Sequence, residues 1–291
     1  MVKAVKKLAL FISAMRPKQW VKNSFVFAGL IFSRSFLQAE PILKTFYAFV
    51  LFSLASGSVY IINDIIDREK DALHPSKRNR PIASGKLGVP EALVFSIIMF
   101  AVSLAASVLL SIKLLIILLV YFVLVLSYSL VLKNVVILDV IIIALGFVLR
   151  TVGGSVAIDV WVSPWLMLCT TMLSVFLALN KRKNELLVLS NDAANHRKNL
   201  DKYTPGLIDG MISVISSTTL MSYSLYTFSA AKSSYMMLTI PFVLYGIFRY
   251  QYLSSARDMG GSPELVLWQD MPLLINILLW IASCIIILTL S

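Results

Sequence analysis

Asn63, Asp64, Asp67 and Asp71 lie in the stretch Asn63-Asp64-Ile65-Ile66-Asp67-Arg68-Glu69-Lys70-Asp71, between two long apolar runs. Read as a helix, the aspartates stand at i, i+3 and i+7 and share one face, which Asn63, four residues before Asp67, widens. Three carboxylates on one stripe repel each other unless a cation sits between them. Hard oxygen donors of this kind suit Mg²⁺, which keeps several waters and completes its shell from substrate phosphates. A few residues on, Lys77, Arg78 and Arg80 offer donors for phosphate oxygens. Carboxylates followed by cations point to a site for a Mg²⁺-bound diphosphate. The bland alternative is a solvated charged loop between membrane spans. It leaves unexplained an Asn-Asp pair set into the end of an apolar helix, where polar groups are costly and usually functional.

A second polar constellation reads Asn180-Lys181-Arg182-Lys183-Asn184-Glu185, then Asn191-Asp192, His196-Arg197-Lys198 and Asp201-Lys202-Tyr203-Thr204, ended by Pro205-Gly206. Lys183, Arg197 and Lys198 read as a snorkelling basic collar at a membrane edge, whereas Arg182 and Glu185 read as partners of the first site. Between the two constellations lie Tyr128, Lys133, Asp139 and Arg150. Asp139 and Arg150, eleven residues apart, fall on one helix face. An arginine inside a span needs a partner or a wet cavity, so a structural ion pair and a ligand contact both stay open. Gly153-Gly154 reads as close helix packing. His74 has no ligand-spaced neighbour and reads as a loop histidine.

These residues must be held by membrane helices. Of the 291 residues 58% are hydrophobic, more than a soluble globular chain carries, and mean hydropathy is +0.84. Apolar runs near twenty residues recur from end to end, so the expected fold is an all-α polytopic membrane protein. It forms one domain over 1–291, with about nine transmembrane helices in one bundle. Rough spans are 21–38, 43–66, 90–110, 114–132, 135–156, 162–181, 207–228, 235–252 and 271–290. Lys3, Lys6 and Lys7 precede a short apolar run as in a signal peptide, but no small-residue cleavage pattern follows, and an interfacial helix with Trp20 at the headgroups is expected. The net charge of +11 does not call for nucleic acid, because the cations sit between apolar spans. With the N-terminus inside and the C-terminus outside, only Arg34, Lys44, Lys113, Arg150 and Lys232 escape the inner segments, as the positive-inside rule requires. The expected location is the cell (inner) membrane, with the active site on the cytoplasmic side. Cys169 and Cys284 lie in apolar runs and imply neither a disulfide framework nor a thiolate metal site. In the last inner segment Ser262 and Pro263 read as the start of a short helix, a lid or simply a return to the membrane.

Asn63-Asp64-x-x-Asp67-x-x-x-Asp71 on the second of nine helices, continued by Lys77-Arg78-Asn79-Arg80-Pro81-Ile82-Ala83-Ser84-Gly85, resembles the first aspartate-rich motif of the UbiA-type intramembrane transferase superfamily. Met15-Arg16-Pro17-Lys18-Gln19-Trp20-Val21-Lys22-Asn23, Gly146-Phe147-x-Leu149-Arg150, Lys181-Arg182-x-x-Glu185 and Lys202-Tyr203-Thr204 resemble its polyprenyl-phosphate phosphoribosyltransferase branch. The superfamily's prenyltransferases carry a second aspartate-rich motif at the end of the sixth span. This chain has one Glu185 among three cations there, which trades metal-binding for anion-binding capacity.

The resemblance implies transfer of 5-phosphoribose from phosphoribosyl pyrophosphate to a polyprenyl phosphate, a decaprenyl-phosphate-like lipid, with release of pyrophosphate. Asp64, Asp67 and Asp71 would hold Mg²⁺, with Mn²⁺ as a substitute, and Glu185 would complete the acidic set. Asn63 would orient the substrate or a metal-bound water. Arg16, Lys18, Lys22, Lys77, Arg78, Arg80, Lys133, Lys181 and Arg182 form the pool of phosphate binders, with Tyr128 and Arg150 as further substrate contacts. The acceptor phosphate is already ionised, so no general base is required. Two alternatives stay open: a prenyltransferase acting on an aromatic or chlorin acceptor, and a non-enzymatic lipid transporter with a charged inner gate. The one-sided polarity and the lack of an inverted repeat disfavour the transporter.

Overall fold

The computed structural model describes residues 2–73, 77–188, 202–229, 233–256, 259–261 and 263–290, and the regular elements among them are helical. In chain order they are α1 (Val2–Ala14), a 3₁₀ run (Pro17–Phe27), α2 (Ala28–Phe32), α3 (Ala39–Ile66), α4 (Arg68–Leu73), α5 (Val89–Ser107) and α6 (Ile112–Leu130). Then come α7 (Leu138–Ala157), α8 (Pro164–Val188), α9 (Pro205–Ser229), α10 (Ile240–Ala256), α11 (Pro263–Gln269) and α12 (Met271–Leu290). Among the described residues six helices, α3, α5, α6, α7, α8 and α12, are long and apolar enough to cross a membrane. The spans expected at 207–228 and 235–252 are helices too. α9, however, is interrupted by Ser and Thr, and α10 is 17 residues long.

The first expected span, 21–38, differs most. Its backbone is a tight 3₁₀ run followed by one short α-helix. Asn23 in this run is buried and gives its amide to Ser53 Oγ (3.0 Å) and Ser56 Oγ (3.3 Å) of α3. α7 presses against the same run where it has no side chain: a Cβ on Gly154 would lie 1.9 Å from the Val26 carbonyl oxygen. On Gly153 it would lie 2.5 Å from the Phe52 ring. The glycine pair is the close-packing device its sequence suggests.

α3 and α7 are buried for most of their length and form the middle of the bundle, whereas α5, α6 and α12 show broad apolar faces outward. Leu93, Ile97, Val120, Val123, Leu278 and Ile286 are among the bare residues. Helices apolar all round, with apolar residues on their outer faces, are suited to lipid. One cluster of core residues joins α7, α8, α9, α10 and α12 around Phe176, Ile208 and Leu253. A second joins the 3₁₀ run, α3, α6 and α7 around Phe52 and Leu118. α1 lies across α5, with Lys7 paired to Glu91 (2.7 Å) and Phe11 stacked on Phe95 (4.5 Å). Its Val5, Leu8 and Ile12 are left bare, as suits an interfacial helix.

Candidate active site

α3 stops at Ile66 and α4 begins at Arg68, so Asp67 sits at a break. The helical spacing survives it, because Asp67 N–H donates to the Asn63 carbonyl (2.9 Å) and Asp71 N–H to the Asp67 carbonyl (2.8 Å). Asp64 and Asp71 therefore stay on one side, both nearly buried, and Arg80 bridges them. Its Nη1 donates to Asp64 Oδ1 (3.1 Å) and Asp71 Oδ2 (2.5 Å). Arg16 donates to the same Asp64 Oδ1. Pro17 disfavours the right-handed helical region for the residue before it. Arg16 instead takes a left-handed conformation, φ 53°, with its guanidinium 5.0 Å over the Tyr60 ring. Backbone strain of this kind gathers at functional sites. Asp67 faces a different cation, Lys133 Nζ (3.4 Å), from the turn between α6 and α7.

The second constellation closes on this one through Lys77. Its Nζ lies 4.0 Å from Asp71. Burial pushes its ammonium below the usual lysine range; Asp71 works against that shift, Arg80 adds to it, and Glu185 and Asp67 oppose it. One lysine is thus within electrostatic reach of both acidic groups. Arg182 is fully enclosed, at 1% exposure. Nε donates to Asp139 Oδ2 (2.7 Å), Nη1 to Glu185, and Nη2 to Tyr128 Oη (3.1 Å). Tyr203 completes the network: its hydroxyl donates to Asp139 Oδ1 (2.9 Å) and accepts from the Ile137 amide (2.8 Å).

Asp139 thus pairs with Arg182 and not with Arg150, whose face it shares. Arg150 lies elsewhere, with Nε on Asn23 Oδ1 (2.7 Å), Nη1 on the Gly146 carbonyl (2.9 Å) and Nη2 on Tyr121 Oη (2.6 Å). Each of its nitrogens has a protein acceptor, and it ties the 3₁₀ run to α6 and α7. Lys18 and Arg78 are exposed; Lys22 and Lys181 are half-buried and engaged within the protein. His74, Asn191, Asp192, His196, Arg197, Lys198, Asp201 and Ser262 lie outside the described residues. Sequence reasoning missed Tyr60 under Arg16 and the tie of Asn23 to Arg150. The signal for the second was available, because a buried arginine demands acceptors from somewhere.

Among the described residues no three His, Cys, Asp or Glu side chains are gathered into a ready metal cage. The donors still fit a divalent cation of the Mg²⁺ type. Asp64, Asp67 and Asp71 supply hard oxygens, and Asn63 Oδ1 is a buried acceptor without a hydrogen-bond partner. Mg²⁺ needs only one or two carboxylates when substrate phosphates complete its shell.

The sequence of this chain matches the UbiA prenyltransferase family over residues 24–270. The chain belongs to that family. It is therefore an enzyme of the UbiA superfamily and a multi-pass membrane protein. It is 33% identical to a decaprenyl-phosphate phosphoribosyltransferase of Mycolicibacterium smegmatis over 290 residues, 94% of this chain and 90% of that protein. It is also 33% identical to one of Corynebacterium glutamicum over 280 residues, 93% of this chain and 84% of that protein. Among solved structures, a UbiA homolog from Archaeoglobus fulgidus bound to GPP and Mg²⁺ superposes with a TM-score of 0.74 at 20% identity, covering 96% of this chain and 99% of its own. That likeness concerns the UbiA fold.

Proposed function

We propose that this chain transfers the 5-phosphoribosyl group of phosphoribosyl pyrophosphate to a polyprenyl phosphate of the decaprenyl-phosphate type, releasing pyrophosphate, on the cytoplasmic side of the cell membrane. The observation that carries the reading is the charge balance at the site. Three carboxylates around the α3–α4 break meet Arg16, Lys77, Arg80 and Lys133, while α8 contributes one Glu185 beside a buried Arg182. Phosphoribosyl pyrophosphate brings a diphosphate and a separate 5-phosphate, and the lipid brings a third anionic group. A prenyl diphosphate brings only one. So cationic a site suits the richer set of anions. The two relatives at 33% identity, both decaprenyl-phosphate phosphoribosyltransferases, support the same substrates.

Asp64, Asp67 and Asp71, with Asn63 Oδ1, are the groups that would hold Mg²⁺. When bound, the cation would supply charge neutralisation for the departing diphosphate. The chain's own residues do the rest. Arg and Lys side chains grip the diphosphate and 5-phosphate and fix the ribose C1 in line with the acceptor. An acceptor phosphate oxygen forms the new bond to C1 as the C1–O bond to diphosphate breaks, and the electron pair leaves with pyrophosphate. The nucleophile carries no proton to remove, so the lack of a placed histidine is no obstacle.

The test is transfer by purified protein. Labelled phosphoribosyl pyrophosphate with a polyprenyl phosphate should give labelled lipid in Mg²⁺ or Mn²⁺, and none in excess EDTA. Turnover from a prenyl diphosphate onto 4-hydroxybenzoate, with no label reaching the lipid phosphate, would replace this reading by the prenyltransferase one.

A further inference from the structure

We infer that Arg16, Arg80 and Lys133 are diphosphate-binding residues held in reserve on the metal-binding carboxylates, and that cation and diphosphate enter together by an exchange of partners. The inference rests on the site assignment above and adds how the site is filled. Asp64 and Asp71 are 2% and 4% exposed. A buried carboxylate with no partner is strongly destabilising, so some cation must stand on each. The chain supplies them from different places: Arg16, from the junction of α1 and the 3₁₀ run, stands on Asp64, and Arg80, from the loop after α4, stands on both, while Lys133, from the α6–α7 turn, stands on the more open Asp67. Arg80 uses a single nitrogen to hold Asp64 Oδ1 and Asp71 Oδ2 together. A divalent cation on those two oxygens and Arg80 on the same two cannot coexist.

The three cations can move, because their side chains are about a quarter exposed (26%, 27% and 24%) and none is rooted on α3 or α4. As a divalent cation takes the aspartate oxygens, each displaced guanidinium or ammonium finds a phosphate oxygen of the arriving diphosphate. Every buried charge keeps a partner throughout. Arginine suits the task, since its planar fork matches carboxylate and phosphate alike. Arg16 thus works with Arg80 and Lys133 as a substrate-binding residue, although without ligand it rests on Asp64 and over the Tyr60 ring.

The mechanism predicts effects of opposite sign from one substitution. Mn²⁺ binding is read by electron paramagnetic resonance of the free ion, and binding of pyrophosphate in saturating Mn²⁺ by calorimetry. Arg80→Gln should bind Mn²⁺ alone at least about tenfold more tightly, and pyrophosphate at least about tenfold more weakly, than the unsubstituted protein. A purely structural Arg80 would weaken both, and an Arg80 that only met phosphate would leave Mn²⁺ alone unchanged. Either result overturns the inference. Arg16→Gln, which removes one of the two cations on Asp64 and leaves Asp71 covered, should show the same crossing and serves if Arg80→Gln does not fold. Pyrophosphate is common to the phosphoribosyl and prenyl readings. A crossing without phosphoribosyl transfer would sink the proposed substrate and leave the exchange standing.

Discussion

Arg182 and Arg80 both touch two carboxylates, yet burial gives them different work. Arg182 and Asp139 are enclosed at 1% and 0% exposure. Removing one member leaves the other charged and dry, a change that costs about 3–5 kcal/mol. Arg182→Ala should therefore lower the thermal midpoint in detergent sharply, and its lost activity will report unfolding as much as lost phosphate contact. Replacing both partners together, Arg182→Met with Asp139→Leu, should regain much of the stability, because an apolar pair of similar volume does not leave a charge unpaired. If the double variant is no more stable than Arg182→Ala, the ion pair is not what the arginine sustains. Asp64 is also buried, but its partners Arg16 and Arg80 are about a quarter exposed, and it should behave otherwise. Asp64→Asn keeps the shape and one acceptor oxygen for Arg16 and Arg80, so folding should survive, while loss of charge toward the cation should cost at least about 100-fold in kcat/KM. A thermal scan alongside the kinetics separates the two variants.

The 3₁₀ run Pro17–Phe27 follows Arg16 directly and sets where its guanidinium stands. Gly154 lets the run lie directly on α7, and Asn23 fastens it to α3 and to Arg150. A methyl group at residue 154 would collide with backbone, which cannot rotate away. Gly154→Ala should therefore cost on the order of 1–3 kcal/mol of stability and weaken pyrophosphate binding, although no residue it touches meets the ligand. Unchanged binding would show that the run does not position Arg16. The i, i+3, i+7 aspartates, the helices around them and the glycine pair were legible in sequence, since helical period and apolar length are local properties. The 3₁₀ run was not, because an apolar stretch near twenty residues long reads as a regular span, and only contact with α7 and α3 reveals the tighter backbone. Partner choice was hidden for the same reason. Face-sharing made Asp139 and Arg150 look like a pair, whereas tertiary packing gave Asp139 to Arg182 and Tyr203. The Tyr203 contact is testable alone. Burial raises its hydroxyl to about 12, so its stabilising hydrogen bonds persist below the ordinary tyrosine range near 10 and are lost only as pH climbs beyond it. Tyr203→Phe should cost about 1–3 kcal/mol, equally at pH 6 and pH 9. A penalty that changed between those values would mean another group titrates in its place.

Across the whole molecule the chemistry gathers at one end of the bundle. The carboxylates lie at the end of α3 and in α4, Lys133 sits in the turn from α6 to α7, and Arg182 and Glu185 lie in the last turns of α8. The opposite end holds an aromatic and hydroxyl cluster, with Tyr223 bonded to Thr239 and to the Trp280 ring N–H, and no lysine or arginine joins it in those contacts. Such a polarised bundle has two ways to sit in a membrane, and charge chooses between them: lysine and arginine near short connections are retained on the cytoplasmic side. Phosphoribosyl pyrophosphate, a polyanion that does not cross lipid unaided, would be met from that side as well. Two exposed positions at opposite ends decide the orientation. Lys86 lies in the loop before α5, and Trp161, 85% exposed, lies between α7 and α8. In a background with Cys169 and Cys284 replaced by serine, Trp161→Cys should react with an impermeant maleimide in intact cells. Lys86→Cys should react only after the membrane is opened, because its loop shares the site's end of the bundle. The reverse labelling would put the carboxylates outside, away from any cytoplasmic supply of an anionic donor. The phosphoribosyl reading would fall with the topology.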